Sequence, residues 1–116
     1  MEFSKLTLKV EEWAKEKGIL EKATPYTQHD KTLEEIQELS DALIAQEAGK
    51  SEFINDKGEL KNTEFEIKDA IGDILVTLII QAKMQGLTIE DCLESAYDVI
   101  SKRTGKMVGG LFVKDK

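Results

Sequence analysis

Only one cysteine, Cys92, occurs in the 116 residues, so no disulfide can close within the chain, and a reducing, cytosolic setting is the expectation. With no partner histidine marked out beside it, Cys92 reads as a structural thiol rather than a nucleophile. Pro25 is the sole proline and aromatic residues make up 6%, a shortage that disfavours a β-sandwich and favours long helices. His29 is the sole histidine and no Glu-x-x-His pair exists, which argues against a ferritin-like di-iron site. Basic residues are outnumbered: 16 Lys and Arg against 23 Asp and Glu leave a net charge of −7. That is the wrong balance for a protein that grips a nucleic acid backbone. Long apolar runs are missing as well. The greasiest stretch, Ala70 to Ala82, is broken by Asp73 and is too short to span a bilayer, and no signal peptide is evident.

What remains is a chain with 41% hydrophobic and 34% charged residues, as expected of one soluble globular domain over residues 1 to 116. Phe3, Leu6, Val10 and Trp13 recur at steps of three and four, predicting a first helix that Gly18 stops. Ala23 to Gln28 reads as a loop. Thr32 with Glu35 three residues on matches a capping box, predicting a second helix from about Thr32 to Ala48. Gly49 to Asn62 is polar, with a turn at Asn55 to Gly58, and reads as a connection. Phe53 stands where an EF-hand loop would need its first ligand. A third helix, about Thr63 to Gln85, is apolar nearly all round beyond Ala70, more than so short a chain can cover by itself. A second subunit is therefore expected, in a homodimer or homotetramer. Thr88 and Asp91 open a fourth helix to about Arg103, and Thr104 to Lys116 forms an extended arm. The predicted fold is all-α, an antiparallel four-helix bundle or half of a larger one.

Two groups of acids stand out. Glu34, Glu35 and Glu38 share one edge of the second helix, where like charges repel by a few tenths of a kcal/mol per pair, on the order given for helices. Alone, they are better explained by a solvated acidic face near a helix start. Asp69 and Asp73 lie four apart on the third helix, on one stripe with Val76 and Ile80, so that these acids point along an apolar packing seam. A carboxylate so placed needs a cation, either a lysine or arginine or a metal. Acids from two helices carry too much charge for one lysine, and hard oxygen donors favour Mg²⁺ or Mn²⁺.

This order of signals resembles the MazG-like members of the all-α nucleoside triphosphate pyrophosphohydrolases, whose pattern is E-E-x-x-E followed by E-x-x-D. The likeness runs from about Glu12 to Lys114. It includes Gln28, Lys31, Glu34-Glu35-x-x-Glu38, Ile71-Gly72-Asp73 and the tail Arg103-Thr104-Gly105-Lys106-Met107. One position departs: the glutamate expected three residues before Asp73 is Ala70, and the nearest acid is Asp69. The spacer after Glu38 is also long. The resemblance implies hydrolysis of (deoxy)nucleoside triphosphates between the α and β phosphates. Glu35, Glu38, Asp69 and Asp73 would then hold Mg²⁺, with Glu34 adjoining, and Glu34 or Glu35 would take a proton from water. Gln28 would contact the substrate, and Lys31, Lys102, Arg103 and Lys106 would hold its phosphates. A helical adaptor whose acids only keep it soluble, or a nucleotide-binding relative without turnover, are the competing expectations.

Overall fold

Pro25 sets the architecture. Its fixed φ suits the first position of a helix, and the Thr24 hydroxyl accepts from the Thr27 amide at 3.1 Å while Thr27 returns a bond to the Thr24 amide at 2.9 Å. This capping box starts a helix two turns before the one expected at Thr32. The computed structural model of Met1–Lys116 contains α1 (Phe3–Glu16), a short α2 (Ile19–Lys22), α3 (Pro25–Glu47), β1 (Glu52–Ile54), β2 (Leu60–Asn62), α4 (Thr63–Met84), α5 (Ile89–Ile100), β3 (Gly105–Val108) and β4 (Leu111–Lys114). The Ala23 to Gln28 loop is thus mostly helix, and Thr32 lies inside α3 rather than capping it.

α3 and α4 run antiparallel and form the principal contact of the fold. Their seam is lined by small side chains: Ala42, Ala45 and Ala70 are buried, with Ala70 only 1% exposed. Small residues let the helix axes come close and leave no gap. Polar groups stitch the other end. Gln81 donates to the Pro25 carbonyl at 2.8 Å, and Gln28 donates its amide to the Thr77 carbonyl at 3.2 Å. The Thr77 hydroxyl donates to the Ile74 carbonyl at 2.7 Å, so its remaining capacity accepts from Thr32 at 2.8 Å. α1 lies against α4, with Glu11 paired to Lys83 at 3.8 Å.

The polar connection is a β-hairpin with register Glu52↔Asn62, Phe53↔Lys61 and Ile54↔Leu60. Its tip is tied by Asn55, whose side-chain oxygen accepts from the amides of Lys57 at 3.0 Å and Glu59 at 2.9 Å. Gly58 supplies the left-handed φ of +79° that the return requires. Asn62 then caps α4 by accepting from the Phe65 amide at 2.9 Å.

After Gly86, Thr88 caps α5 as expected, accepting from the Asp91 amide at 3.1 Å. The axis of α5 lies 99° from that of α4, so the chain does not by itself fold into an antiparallel four-helix bundle. No residue of α5 is buried. The tail is a second hairpin, β3–β4, closed by Gly109 and Gly110, both at positive φ as a two-residue primed turn demands. It packs principally on itself and leaves Met107, Val108, Leu111, Phe112 and Val113 exposed. The accessible surface, 8925 Å², exceeds the roughly 6300 Å² usual for a monomer of this mass. The radius of gyration, 16.9 Å, likewise exceeds about 13 Å. No single helix is long and apolar enough to cross a membrane.

Thr77→Val keeps the shape of the seam and removes its hydroxyl pair. A loss of about 1 kcal/mol in urea unfolding is expected; an unchanged midpoint would show that this pair adds no net stability.

Candidate metal centre

The antiparallel register of α3 and α4 sets Glu35 opposite Asp73, and Glu38 follows one turn along. One carboxylate oxygen from each of Glu35, Glu38 and Asp73 lies within 4.8 Å of the other two. Glu35 is buried at 8% exposure, and its Oε2 is sealed from solvent with no hydrogen-bond partner. Asp73 is half-buried and Glu38 exposed.

The electrostatics are those of acids forced together. Burial is the largest cause that pushes the Glu35 carboxyl above its ordinary pKa, followed by the hydrogen bond and the charge of Glu38 and the charge of Asp73, with Lys31 opposing. Burial also raises Asp73, followed by the charge and hydrogen bond of Asp69 and the charges of Glu38 and Glu66. Two lysines sit at the margins. Lys31 Nζ is 3.3 Å from Glu34 and 3.6 Å from Glu35, and the Glu34 hydrogen bond is foremost in holding its ammonium protonated. Lys61 Nζ is 3.7 Å from Glu66 and 4.0 Å from Glu59. No lysine or arginine pairs with Asp73, so the structural salt bridge that would explain this residue without a ligand is not formed.

These residues suit a hard divalent cation. Octahedral Mg²⁺ sets neighbouring oxygens about 3 Å apart and opposite ones about 4.2 Å apart, so the trio would have to draw together around an ion, and the orphaned Glu35 Oε2 is an acceptor without a donor. Asp69 flanks Asp73 and lies on the exposed side of the cluster. Ala70 is buried against α3 and has no access to it. One turn earlier stands Glu66, which sequence reasoning passed over although Glu66-Ile67-Lys68-Asp69 spells E-x-x-D outright. Counting from Glu66 also shortens the spacer that looked too long from Glu38 to Asp69.

Of the remaining expected contacts, Lys31 adjoins the acids. Gln28 is buried in the seam and borders a hollow of about 210 Å³ that Trp13, Ile19, Val76 and Ile80 line together with Glu35 and Asp73. Lys102, Arg103 and Lys106 are exposed, form no ion pair and border none of the hollows beside the acids. Within one chain the fold does not bring them to the cluster, because α5 and the tail leave the α3–α4 pair.

The model of a known family, the MazG nucleotide pyrophosphohydrolase domain, matches residues 23–108. The chain belongs to this family. The match begins one residue before the cap of α3 and runs to the end of β3, so that it covers every acid of the cluster. No curated protein and no solved structure matches the chain. Membership makes the MazG domain a nucleotide hydrolase in general terms and gives the acidic trio a chemical context.

Raised carboxyls mean that the folded, metal-free MazG domain holds more protons than the unfolded chain. Their effect is to lower stability as pH rises from the ordinary carboxylate range through the raised values of Glu35 and Asp73. In chelator, Asp73→Asn is expected to melt roughly 2–6 °C higher than the parent at about pH 8, and nearer to it at about pH 4. Millimolar Mg²⁺ should stabilise the parent and not the variant. Equal Mg²⁺ stabilisation of both would remove Asp73 from the centre.

Proposed function

We propose that this MazG domain hydrolyses (deoxy)nucleoside triphosphates to monophosphate and pyrophosphate with Mg²⁺, or Mn²⁺ in its place. The observation that carries the reading is the convergence of Glu35, Glu38 and Asp73 around a buried acceptor that no protein donor satisfies. Glu35, Glu38 and Asp73 would hold the ion, with Asp69 and Glu66 adjoining. Bound there, the cation supplies positive charge against the phosphate oxygens and lowers the pKa of water. The chain's own part is to place the α-phosphorus and to take a proton. Glu34 lines a polar hollow together with Glu38 and Lys31 and stands outside the trio, which leaves it free to accept the proton of the attacking water. Lys31 holds Glu34 and Glu35 in place and offers its ammonium to a phosphate oxygen.

We further infer a homo-oligomer, most simply a dimer. The surface in excess of a compact monomer, roughly 2600 Å², is of the order that each chain buries in an obligate interface. Exposed Leu33, Ile44, Ile71, Leu78 and Tyr97 supply its apolar character. Lys102, Arg103 and Lys106 would contact substrate from a second copy.

With a panel of NTPs and dNTPs and Mg²⁺, chromatography is expected to show monophosphate and pyrophosphate in equal amounts; release of orthophosphate would overturn the bond assignment. Glu38→Gln and Asp73→Asn should each lower kcat/KM by about 100-fold or more while the helical circular dichroism is kept. Wild-type turnover in either variant would refute its role. Sedimentation at micromolar concentration should give a dimer or larger species, and a monomer would contradict the inferred assembly.

A further inference from the structure

The acidic trio stands between two kinds of hollow. On the side of α1 and α2 a hollow is lined by the apolar Trp13, Ile19, Val76 and Ile80 together with Gln28, Lys31, Thr77, Glu35 and Asp73. On the other side the β1–β2 hairpin borders a space of about 130 Å³ lined by five acids, Glu38, Asp41, Glu59, Glu66 and Asp69, with Lys57 and Lys61 as its cations and Asn55 beside them. A third hollow, about 250 Å³, continues from Glu38 past Lys57 to Lys31. Glu38, Asp41, Asn55 and Lys57 border both polar spaces, in which Lys31, Lys57 and Lys61 are the cations set among the acids.

A nucleoside triphosphate is likewise two-ended, with an apolar base and sugar, an α-phosphate, then a strongly anionic end that enters an acid-lined space only beside cations. Cleavage between the α and β phosphates requires the α-phosphate at the trio. The nucleoside then lies toward Trp13 and the outer phosphates toward the hairpin. On this ground, and resting on the triphosphate reading above, we propose that the β1–β2 hairpin is the grip for the leaving pyrophosphate, with Lys57 and Lys61 as its cations.

The hairpin is built for such a task. Phe53 and Lys61 form a cross-strand pair, and these are the half-buried positions of strands whose other residues are exposed. Lys61 Nζ, at 3.7 Å and 4.0 Å from its two glutamates, is held loosely enough to turn to a stronger anion. Lys57 is exposed and has no ion pair. The two bonds that Asn55 accepts from the amides of Lys57 and Glu59 fix the tip from which Lys57 projects, and Asn55 Nδ2 donates to Glu59 at 3.1 Å. Asn55 is therefore a positioning residue for Lys57. Lysine suits the work, because a flexible ammonium follows a phosphate that must depart.

Product inhibition of the full-length protein with Mg²⁺ tests this. Pyrophosphate probes the hairpin side and a nucleoside monophosphate the opposite one. Lys57→Ala/Lys61→Ala is expected to raise the pyrophosphate inhibition constant and the KM for triphosphate by about tenfold or more. Inhibition by monophosphate should stay within about twofold, and Lys61→Arg should keep most of the pyrophosphate affinity. Trp13→Ala should show the reverse pattern. Lys57→Ala alone, at a site without an ion pair, repeats the measurement should the double variant fold poorly. An active variant with wild-type pyrophosphate inhibition would overturn the grip. So would equal losses for pyrophosphate and monophosphate, which would show that the lysines only neutralise the acids. A wild-type protein that neither hydrolyses triphosphates nor binds pyrophosphate with Mg²⁺ would instead overturn the parent reading, and the grip with it.

Discussion

The close approach of α3 and α4 governs this molecule. Ala42, Ala45 and Ala70 leave so little between the helices that whatever else lies on the facing stripes is pressed together. Along one half those positions carry Gln28, Thr32 and Thr77, which satisfy one another. Along the other half they carry Glu35 and Asp73, which cannot, because ionised carboxylates only accept hydrogen bonds. The same packing that secures the pair therefore creates an electrostatic fault at its centre. Marginal lysines reach Glu35 and Glu66 but not Asp73, and the trio could bind a metal ion that corrects the fault.

A seam made of small and polar side chains leaves its large apolar residues elsewhere. Only Ile79 and Ile80 among the large aliphatic side chains are buried, while Leu33, Ile36, Leu43 and Ile44 of α3 and Ile71, Leu75 and Leu78 of α4 remain exposed. The chain has thus put its tightest packing where chemistry is needed. It has left most of its hydrophobic area for other surfaces, and the 99° turn into α5 spreads that area further. Burying an aliphatic side chain is worth roughly 1.5–3 kcal/mol, so several such residues left in water are a large stability deficit for a domain of this size.

The sequence made some of this legible and hid the rest for definite reasons. The extents of α1 and α4 and the Gly86–Thr88 boundary follow from apolar spacing and turn chemistry, although α1 buries Thr7 and Ala14 while Phe3, Leu6 and Trp13 of its expected apolar stripe stay exposed. The first two turns of α3 were hidden because its buried stripe is Gln28, Thr32 and Glu35, to which hydrophobic periodicity is blind. Thr32 and Glu35 mimic a capping box while pointing inward. The hairpin strands are three residues long, too short to display alternation, and so the lysine wall they carry went unseen. Glu66 was overlooked because the E-x-x-D pattern was read on Asp73, the acid most conspicuous among apolar neighbours, while Glu66-Ile67-Lys68-Asp69 has the same spacing one turn earlier. The direction of α5 depends on backbone angles over Gly86 and Leu87 that residue types leave open.

Two demands thus remain on one helix pair, a cation inside and apolar cover outside, and the geometry keeps them from competing. At about 100° per residue, Leu33 and Ile44 lie about 160–180° round α3 from Glu35, and Ile71 and Leu75 about 160° round α4 from Asp73. These residues lie on the two outer faces of the pair, so that cover on either face leaves the acids open, and the tail of a second copy would have to reach round to contact the substrate. Coupling would still exist through the helices themselves, since pinning α3 and α4 from outside limits how far Glu35 and Asp73 can recoil from each other. In the proposed assembly, association and metal binding would then support one another through this one seam.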